Sequence, residues 1–464
     1  MRNSGSLDGR LVSAAPWFLA LAAAIFFWRL FTPGLLSYDS VDQYDQAVTG
    51  RYNDQHPPIM AVSLALVRTL GGDLPHLMLI QCVAVVLGTF CLARQCAALV
   101  LSGPRASSQA SWVALGVLAI LLTPISPLAV YAMTWWKDVW LMACLLWAGA
   151  LAIDLYGHPV GRPTWALAGK VFAYCAAAVL AVIVRYNAIV VLPSLCLILA
   201  LLLHRVVRWR FALTITLLLP LAAYGVERTI YRVFHVQCVS AERWPIGFEL
   251  SEICIRYPYT ARALPYTGSC ITGPPSAEYM PASIFGMPVA AHLFDDVEKL
   301  KTDYQVAWRR FPREVLAVKW INFRLHFSDN PCYKFVGANY QEPMRGHQYN
   351  LALNARWSRW RTPWIHAIAY TFNDPWLRWA FVRHLPWFLL NLFAMLGAGV
   401  VWAVGRRPAA AWAALLLSLP LGYYLSYFLA SLGADFRYMY PATLAMQAAA
   451  LALLVAGALR VART

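Results

Sequence analysis

Ten stretches of this chain are apolar and nearly free of charge: residues 15–32, 76–100, 109–124, 139–156, 165–184, 188–204, 211–230, 382–404, 409–430 and 438–459. Runs of about 17–25 such residues are what a helix needs to cross a hydrocarbon core about 30 Å thick. Within that core each segment must satisfy its own backbone polar groups, which favours helices. The sequence therefore predicts an all-α polytopic membrane protein with about ten transmembrane helices. Composition agrees: 13% of the 464 residues are charged, against about a quarter in soluble domains.

Two local readings set the topology. Residues 165–204 cannot form one helix, because at 1.5 Å per residue it would be roughly 60 Å long. A break is expected at Arg185-Tyr186-Asn187. Residues 59–70 are apolar but short and follow Pro57-Pro58, and proline is accepted in a helix's first turn. They read as a helix at the membrane interface. With these choices Arg2, Arg10, Arg94, Arg105, Arg162, Lys170, Arg205, Arg208, Arg210, Arg406, Arg407, Arg460 and Arg463 fall on one side. They are 13 of the 21 Lys and Arg outside 231–380, which makes that side cytoplasmic by the positive-inside rule. Both termini are then expected in the cytoplasm of a plasma (inner) membrane protein, with residues 15–32 an uncleaved first span. Much of the net charge of +16 follows from this topology, and no nucleic-acid-binding signature accompanies it.

Three regions are expected. Residues 1–230 form an N-terminal membrane module whose first external loop is 33–75. Residues 231–380, polar and rich in Pro, Trp and Tyr, form a mixed extracytoplasmic domain between spans seven and eight. Residues 381–464 supply the last spans. Within the domain, 292–327 reads as an amphipathic helix. Cys238, Cys254, Cys270 and Cys332 would there allow two disulfides, in three possible connectivities. A zinc site is disfavoured because no Cys-x-x-Cys pair occurs. Cys82, Cys91, Cys96, Cys144, Cys175 and Cys196 read as packing residues. No internal repeat is visible, which argues against a transporter of duplicated halves.

The acids lie opposite the cytoplasmic cations. Asp39, Asp42, Asp45 and Asp54 fall in the loop after span one, followed by His56-Pro57-Pro58; Asp73, Asp138 and Asp435 share their side. Charge near a membrane marks function by default. Asp39 is the candidate general base toward an acceptor hydroxyl. Asp42 and Asp45 would share a helix face, with Asp42 a candidate acceptor contact. Asp54 orients the turn into His56, a candidate phosphate or sugar contact. Lys137, in Trp135-Trp136-Lys137-Asp138, offers a point charge to a lipid phosphate. Arg185 and Asn187 at the break, and Asp435, Arg437 and Tyr438 at the start of the last span, complete the candidate substrate-binding set with Asp42, Asp54 and Asp138. Taken singly, each reads equally as a cap, a belt aromatic or a snorkelling anchor. Two Arg and one Lys from three outer loops together point to a phosphate site.

This pattern — an external Asp loop after span one, x-Pro-Pro opening an interfacial helix, and a late Arg-Tyr-x-x-Pro — resembles the GT-C class of polyprenyl-phosphate-dependent membrane glycosyltransferases. Protein O-mannosyltransferases and the lipid A aminoarabinose transferase belong to that class. The resemblance implies a base at Asp39, a donor phosphate held by Lys137, Arg185 and Arg437, and inverting transfer of a sugar. The acceptor would be an extracytoplasmic glycan, lipid or protein. Many members have Asp-Glu where this chain has Asp39-Ser40, and some have Lys-Pro-Pro where it has His56-Pro57-Pro58. The other readings are an O-antigen polymerase or ligase with a diphosphate-linked donor, a lipid-linked glycan transporter or flippase, and an assembly factor. No cofactor is demanded. Mg²⁺ or Mn²⁺ on Asp39, Asp42 and Asp54 stays open, since no spacing fixes an octahedral set.

Overall fold

The computed structural model describes residues 7–157, 164–205, 207–273, 287–328, 358–429 and 436–462. Among them there are helices and isolated bridges but no strand. The membrane part begins with α1 (Leu7–Phe31), α2 (Tyr38–Thr49), α3 (Ile59–Thr69), α4 (Leu74–Val100), α5 (Ala106–Leu122), α6 (Leu128–Ala132), α7 (Lys137–Gly157), α8 (Trp165–Val184), α9 (Leu192–His204) and α10 (Trp209–Val233). An insert follows: α11 (Arg243–Arg256), α12 (Pro265–Ser269), α13 (Val297–Arg310) and α14 (Pro312–Leu325). Then come α15 (Ser358–Asn373), α16 (Pro375–Leu377), α17 (His384–Gly405), α18 (Pro408–Leu429) and α19 (Phe436–Val461).

Nine helices of the described residues are long and apolar enough to cross a membrane: α1, α4, α7, α8, the Tyr186–His204 segment, α10, α17, α18 and α19. This is a multi-pass membrane protein. The segment expected to supply a tenth span is α5, only 17 residues long and therefore about 25 Å. It nonetheless joins the two ends of the bundle. At one end Arg94 on α4 donates to Ser107 (2.9 Å) and Ser111 (3.1 Å). At the other, just past α5, the Ser126 hydroxyl lies 3.4 Å from that of Tyr440. The first end also holds the Lys170–Asp154 pair (2.6 Å) and the bond from Arg205 to the Tyr156 carbonyl. The second end holds the candidate site.

The break at Arg185 is present: α8 stops at Val184, Arg185 is extended, and a 3-10 turn over Tyr186–Val191 leads into α9. The stretch expected as a loop after span one is half helix. Ser37 and Ser40 cap α2, the Ser40 hydroxyl accepting the Ser37 N–H at 3.2 Å, and Gly50 ends it in the left-handed conformation (φ 71°), which glycine adopts without strain. Residues 59–69 form an 11-residue helix, about 16 Å long and too short to span. Four of its apolar side chains, Met60, Ala61, Val62 and Leu64, are buried.

The 231–380 segment divides. Helix α10 runs on to Val233, and α15 packs on α1, where Trp364 meets Phe27 edge to face (5.0 Å) and Arg361 donates to the Leu30 carbonyl at 3.2 Å. Helices α11 to α14 enclose a separate small core that includes Leu250, Ile253, Leu300, Val315 and Val318. The helix expected over 292–327 is two helices, because Phe311 leaves the helical conformation and Pro312 starts α14. Cys254 and Cys270 lie buried in this core as free thiols, and Cys238 is an exposed one. No disulfide joins these three; Cys332 lies outside the described residues.

Lys319 fastens the insert to the bundle. Its ammonium meets Glu249 of the insert at 2.8 Å and donates to the Leu429 carbonyl at the end of α18, also at 2.8 Å. Both side chains are buried. Removing one member of a buried pair leaves the other charge uncompensated, at a cost of about 3–5 kcal/mol. Lys319→Met is therefore expected to speed hydrogen exchange across 243–325 while the spanning helices stay protected. Adding Glu249→Gln should recover most of that protection. Equal exchange in K319M and the parent would remove this role.

Candidate active site at one end of the bundle

The site is assembled from seven chain segments, and backbone contacts set its frame. The Leu35 N–H donates to the Met133 carbonyl (2.8 Å), and the Trp135 N–H returns to the Leu35 carbonyl (2.9 Å). Ser40 donates to the Trp135 carbonyl at 2.6 Å, and the Trp136 indole donates to the Ser37 hydroxyl at 2.7 Å. The first turn of α2, carrying Asp39, is thereby bolted to the segment that opens α7 with Lys137 and Asp138.

Asp39 lies between two cationic arms. Arg437, in the first turn of α19, reaches its Oδ2 through Nη2 at 3.1 Å. On the other side His56 Nε2 stands 3.8 Å from Oδ1, and His56 Nδ1 is 2.8 Å from Lys137 Nζ. The Arg437 guanidinium rests over the rings of Trp136 (5.0 Å) and Tyr438 (5.2 Å), favourable cation–π geometry. The Asp39 side chain is 28% exposed, the less buried member of its pair with Arg437.

A second pair lies beneath. Arg185 Nη1 is 2.7 Å from Asp138 Oδ1, with Asp138 fully buried. Arg185 Nε donates to the Tyr427 hydroxyl at 3.0 Å, and that hydroxyl is 2.7 Å from the hydroxyl of Tyr423. Tyr427 and Tyr438 stack at 5.4 Å, and Arg185 sits 4.8 Å from the Tyr438 ring centre. Tyr438 thus touches both guanidinium groups. Asn187 donates to Ser426 at 3.0 Å, tying the break to α18. The insert reaches in through His326, whose ring lies 5.4 Å from that of Tyr427.

The electrostatics are lopsided. Lys137, Arg185 and Arg437 face Asp39 and Asp138. Burial drives the His56 imidazole from its ordinary 6.5 down to about 3, and Lys137 beside it acts the same way. With His56 neutral, the described residues of the cluster hold three cations, Lys137, Arg185 and Arg437, against two carboxylates, Asp39 and Asp138. Burial alone would raise the Asp39 carboxyl; Arg437 above all, with the other cations, holds it well below the usual carboxylate range. Such a site suits an anion.

The neutral His56 has a measurable consequence. An unfolded chain takes up a proton at His56 near pH 6.5, whereas the folded site resists until about 3. The unfolded state therefore binds more protons throughout that window, and stability falls as pH drops through it, approaching about 1.4 kcal/mol per pH unit. Thermal melts between pH 7 and 4 should show that decline, and His56→Gln should flatten it. An unchanged slope in H56Q would count against a buried neutral imidazole.

Lys137, Asp138, Arg185, Asn187, Arg437, Tyr438, Asp39 and His56 lie at this one end of the bundle. Lys137 and Asp138, adjacent in sequence, take different partners. Asp42 and Asp54 are placed otherwise. Asp42 lies one turn along α2, accepting from the Gln46 amide at 2.7 Å, and burial raises its carboxyl. Asp54 is a buried joint: its Oδ1 accepts the Val239 N–H at 2.6 Å, where the chain leaves α10 for the insert. Asp435 lies outside the described residues. Among the described residues no three His, Cys, Asp or Glu side chains are grouped to hold a metal ion. Asp39 faces cations, Asp42 an amide and Asp54 a backbone N–H, so these three carboxylates do not fit a Mg²⁺ or Mn²⁺ site. Tyr427 and Tyr423 escaped the sequence reading. Their only signal is a run of tyrosines at helical spacing in an apolar span.

The chain matches no known protein family, no curated protein and no solved structure.

Proposed function

We propose that this protein is a membrane glycosyltransferase of GT-C type, moving a sugar from a polyprenyl-phosphate donor to a hydroxyl of an extracytoplasmic glycan, lipid or protein. One observation carries the reading. A partly exposed carboxylate, Asp39, is set among three cations that outnumber the acids among the described residues of the site, at one end of a bundle of helices long and apolar enough to cross a membrane. The donor tail lies among apolar helices and its phosphate meets Arg437 and Lys137. Asp39 takes the proton of the acceptor hydroxyl as that oxygen bonds to the anomeric carbon. The bond from that carbon to the phosphate oxygen breaks on the opposite face, with inversion. The cations stabilise the charge that grows on the departing phosphate. In this reading the site end faces outward, and the end carrying Arg94, Lys170 and Arg205 faces the cytoplasm. The insert lies beside the site and helps select the acceptor.

The test pairs mass spectrometry of surface glycans and lipids from a deletion strain with transfer assays in lipid nanodiscs. A missing sugar together with turnover of a polyprenyl monophosphate sugar supports the proposal. Turnover of diphosphate-linked donors alone would instead make it a polymerase or ligase. Translocation of a lipid-linked sugar without transfer would make it a flippase.

A further inference from the structure

Lys137 donates and cannot accept, so the contact at 2.8 Å fixes His56 Nδ1 as the bare ring nitrogen and places the imidazole proton on Nε2. That N–H stands 3.8 Å from Asp39 Oδ1, just beyond hydrogen-bond range. Oδ2 is meanwhile held by Arg437 at 3.1 Å. Among the described residues Asp39 therefore has one ionic partner in contact and a second drawn up a fraction of an ångström short. The partner in contact is also the group that an incoming phosphate would seek. A carboxylate and a phosphate cannot both keep the same guanidinium face, and a phosphate brings more negative charge and more acceptor oxygens to it than the carboxylate already there.

We propose that Arg437 passes from Asp39 to the phosphate when the donor binds, and that His56 is the positioning residue that then closes on Asp39 and holds it for the acceptor proton. This rests on the reading of the site as a phosphate-binding transferase centre. It adds an order of events: Arg437 neutralises the Asp39 charge until the phosphate arrives, so donor binding precedes proton transfer from the acceptor. It also explains why the imidazole stands between Asp39 and Lys137. A neutral donor holds the carboxylate in place without the second full charge that would blunt it as a base.

Binding alone tests this, with the full chain in nanodiscs and geranyl phosphate as the probe. Inorganic phosphate in a parallel titration separates recognition of a prenyl phosphate from that of free phosphate. Arg437→Ala should weaken geranyl phosphate by about tenfold or more, the loss of one charge-assisted contact. Asp39→Asn should tighten it by about tenfold, because the competitor for Arg437 has lost its charge. Asp39→Ser should do the same if the first variant folds poorly. For His56→Ala the background decides. The hand-over predicts weaker binding in the parent, where Asp39 is left without a partner, and no further change in the D39N background. A direct contact between His56 and the phosphate would weaken both alike and overturn the positioning role. If R437A weakens binding while D39N and D39S leave it unchanged, the hand-over fails and the phosphate site stands. If neither R437A nor Lys137→Ala alters affinity for either probe, the phosphate reading fails and the hand-over with it.

Discussion

Arg185→Met is expected to destabilise the protein more than any other single change at the site. The methionine keeps most of the side-chain bulk but leaves Asp138, fully buried, without its ion-pair partner. Breaking a buried ion pair from one side costs about 3–5 kcal/mol, a large share of a typical net stability of about 5–15 kcal/mol. The melting temperature in detergent should drop sharply and the monodisperse fraction with it. The partner change separates a structural role from a ligand-binding one. Adding Asp138→Asn removes the stranded charge, so R185M/D138N should melt close to the parent. Were Arg185 mainly a phosphate ligand, R185M would melt normally and lose only binding. The geometry favours the structural role: Arg185 is engaged by Asp138, Tyr427 and the ring of Tyr438 together.

Asp39→Asn carries the largest expected effect on turnover. The amide has the shape of the carboxylate but takes no proton at working pH, and loss of a general base costs about 10²–10⁴-fold. The fold should persist, because Ser37, Ser40, Trp135 and Trp136 anchor α2 without the Asp39 side chain. Transfer assays and melts on the same preparation check both halves. Undiminished turnover in D39N would remove Asp39 as the base. Combined with the binding result expected above, the variant should hold donor more tightly while failing to use it.

Most of the membrane architecture was readable from the chain itself because hydropathy and length are local quantities. The break at Arg185 followed from arithmetic on helix rise, and the short helix after Pro57-Pro58 from its length. Assignment of Asp39, His56, Lys137, Arg185 and Arg437 to one end needed only the alternation of spans. Their pairings were less accessible. Lys137 and Asp138 are neighbours on one helix, and only the fold sends one to His56 and the other to Arg185. Asp54 looked like part of the acidic set because its partner is a backbone N–H 185 residues away, which no spacing rule encodes. Helix α2 was hidden by a cap using Ser40 where Glu or Gln is the usual sign. The single helix expected over 292–327 failed at Phe311-Pro312, where proline starts a new helix within an amphipathic pattern that continues across it.

The Asp54–Val239 joint fixes where this chain can be cut and re-spliced. A loop exchange that begins at Arg243 retains the Val239 amide and leaves a sealed stump. One that begins a few residues earlier strips the amide from the buried Asp54 carboxylate, whose backbone carbonyl accepts from the Tyr186 hydroxyl, and disturbs the turn that carries His56. Chimaeras seeking new acceptor selectivity should therefore graft their foreign helices downstream of Ser240 and keep both members of the Glu249–Lys319 pair.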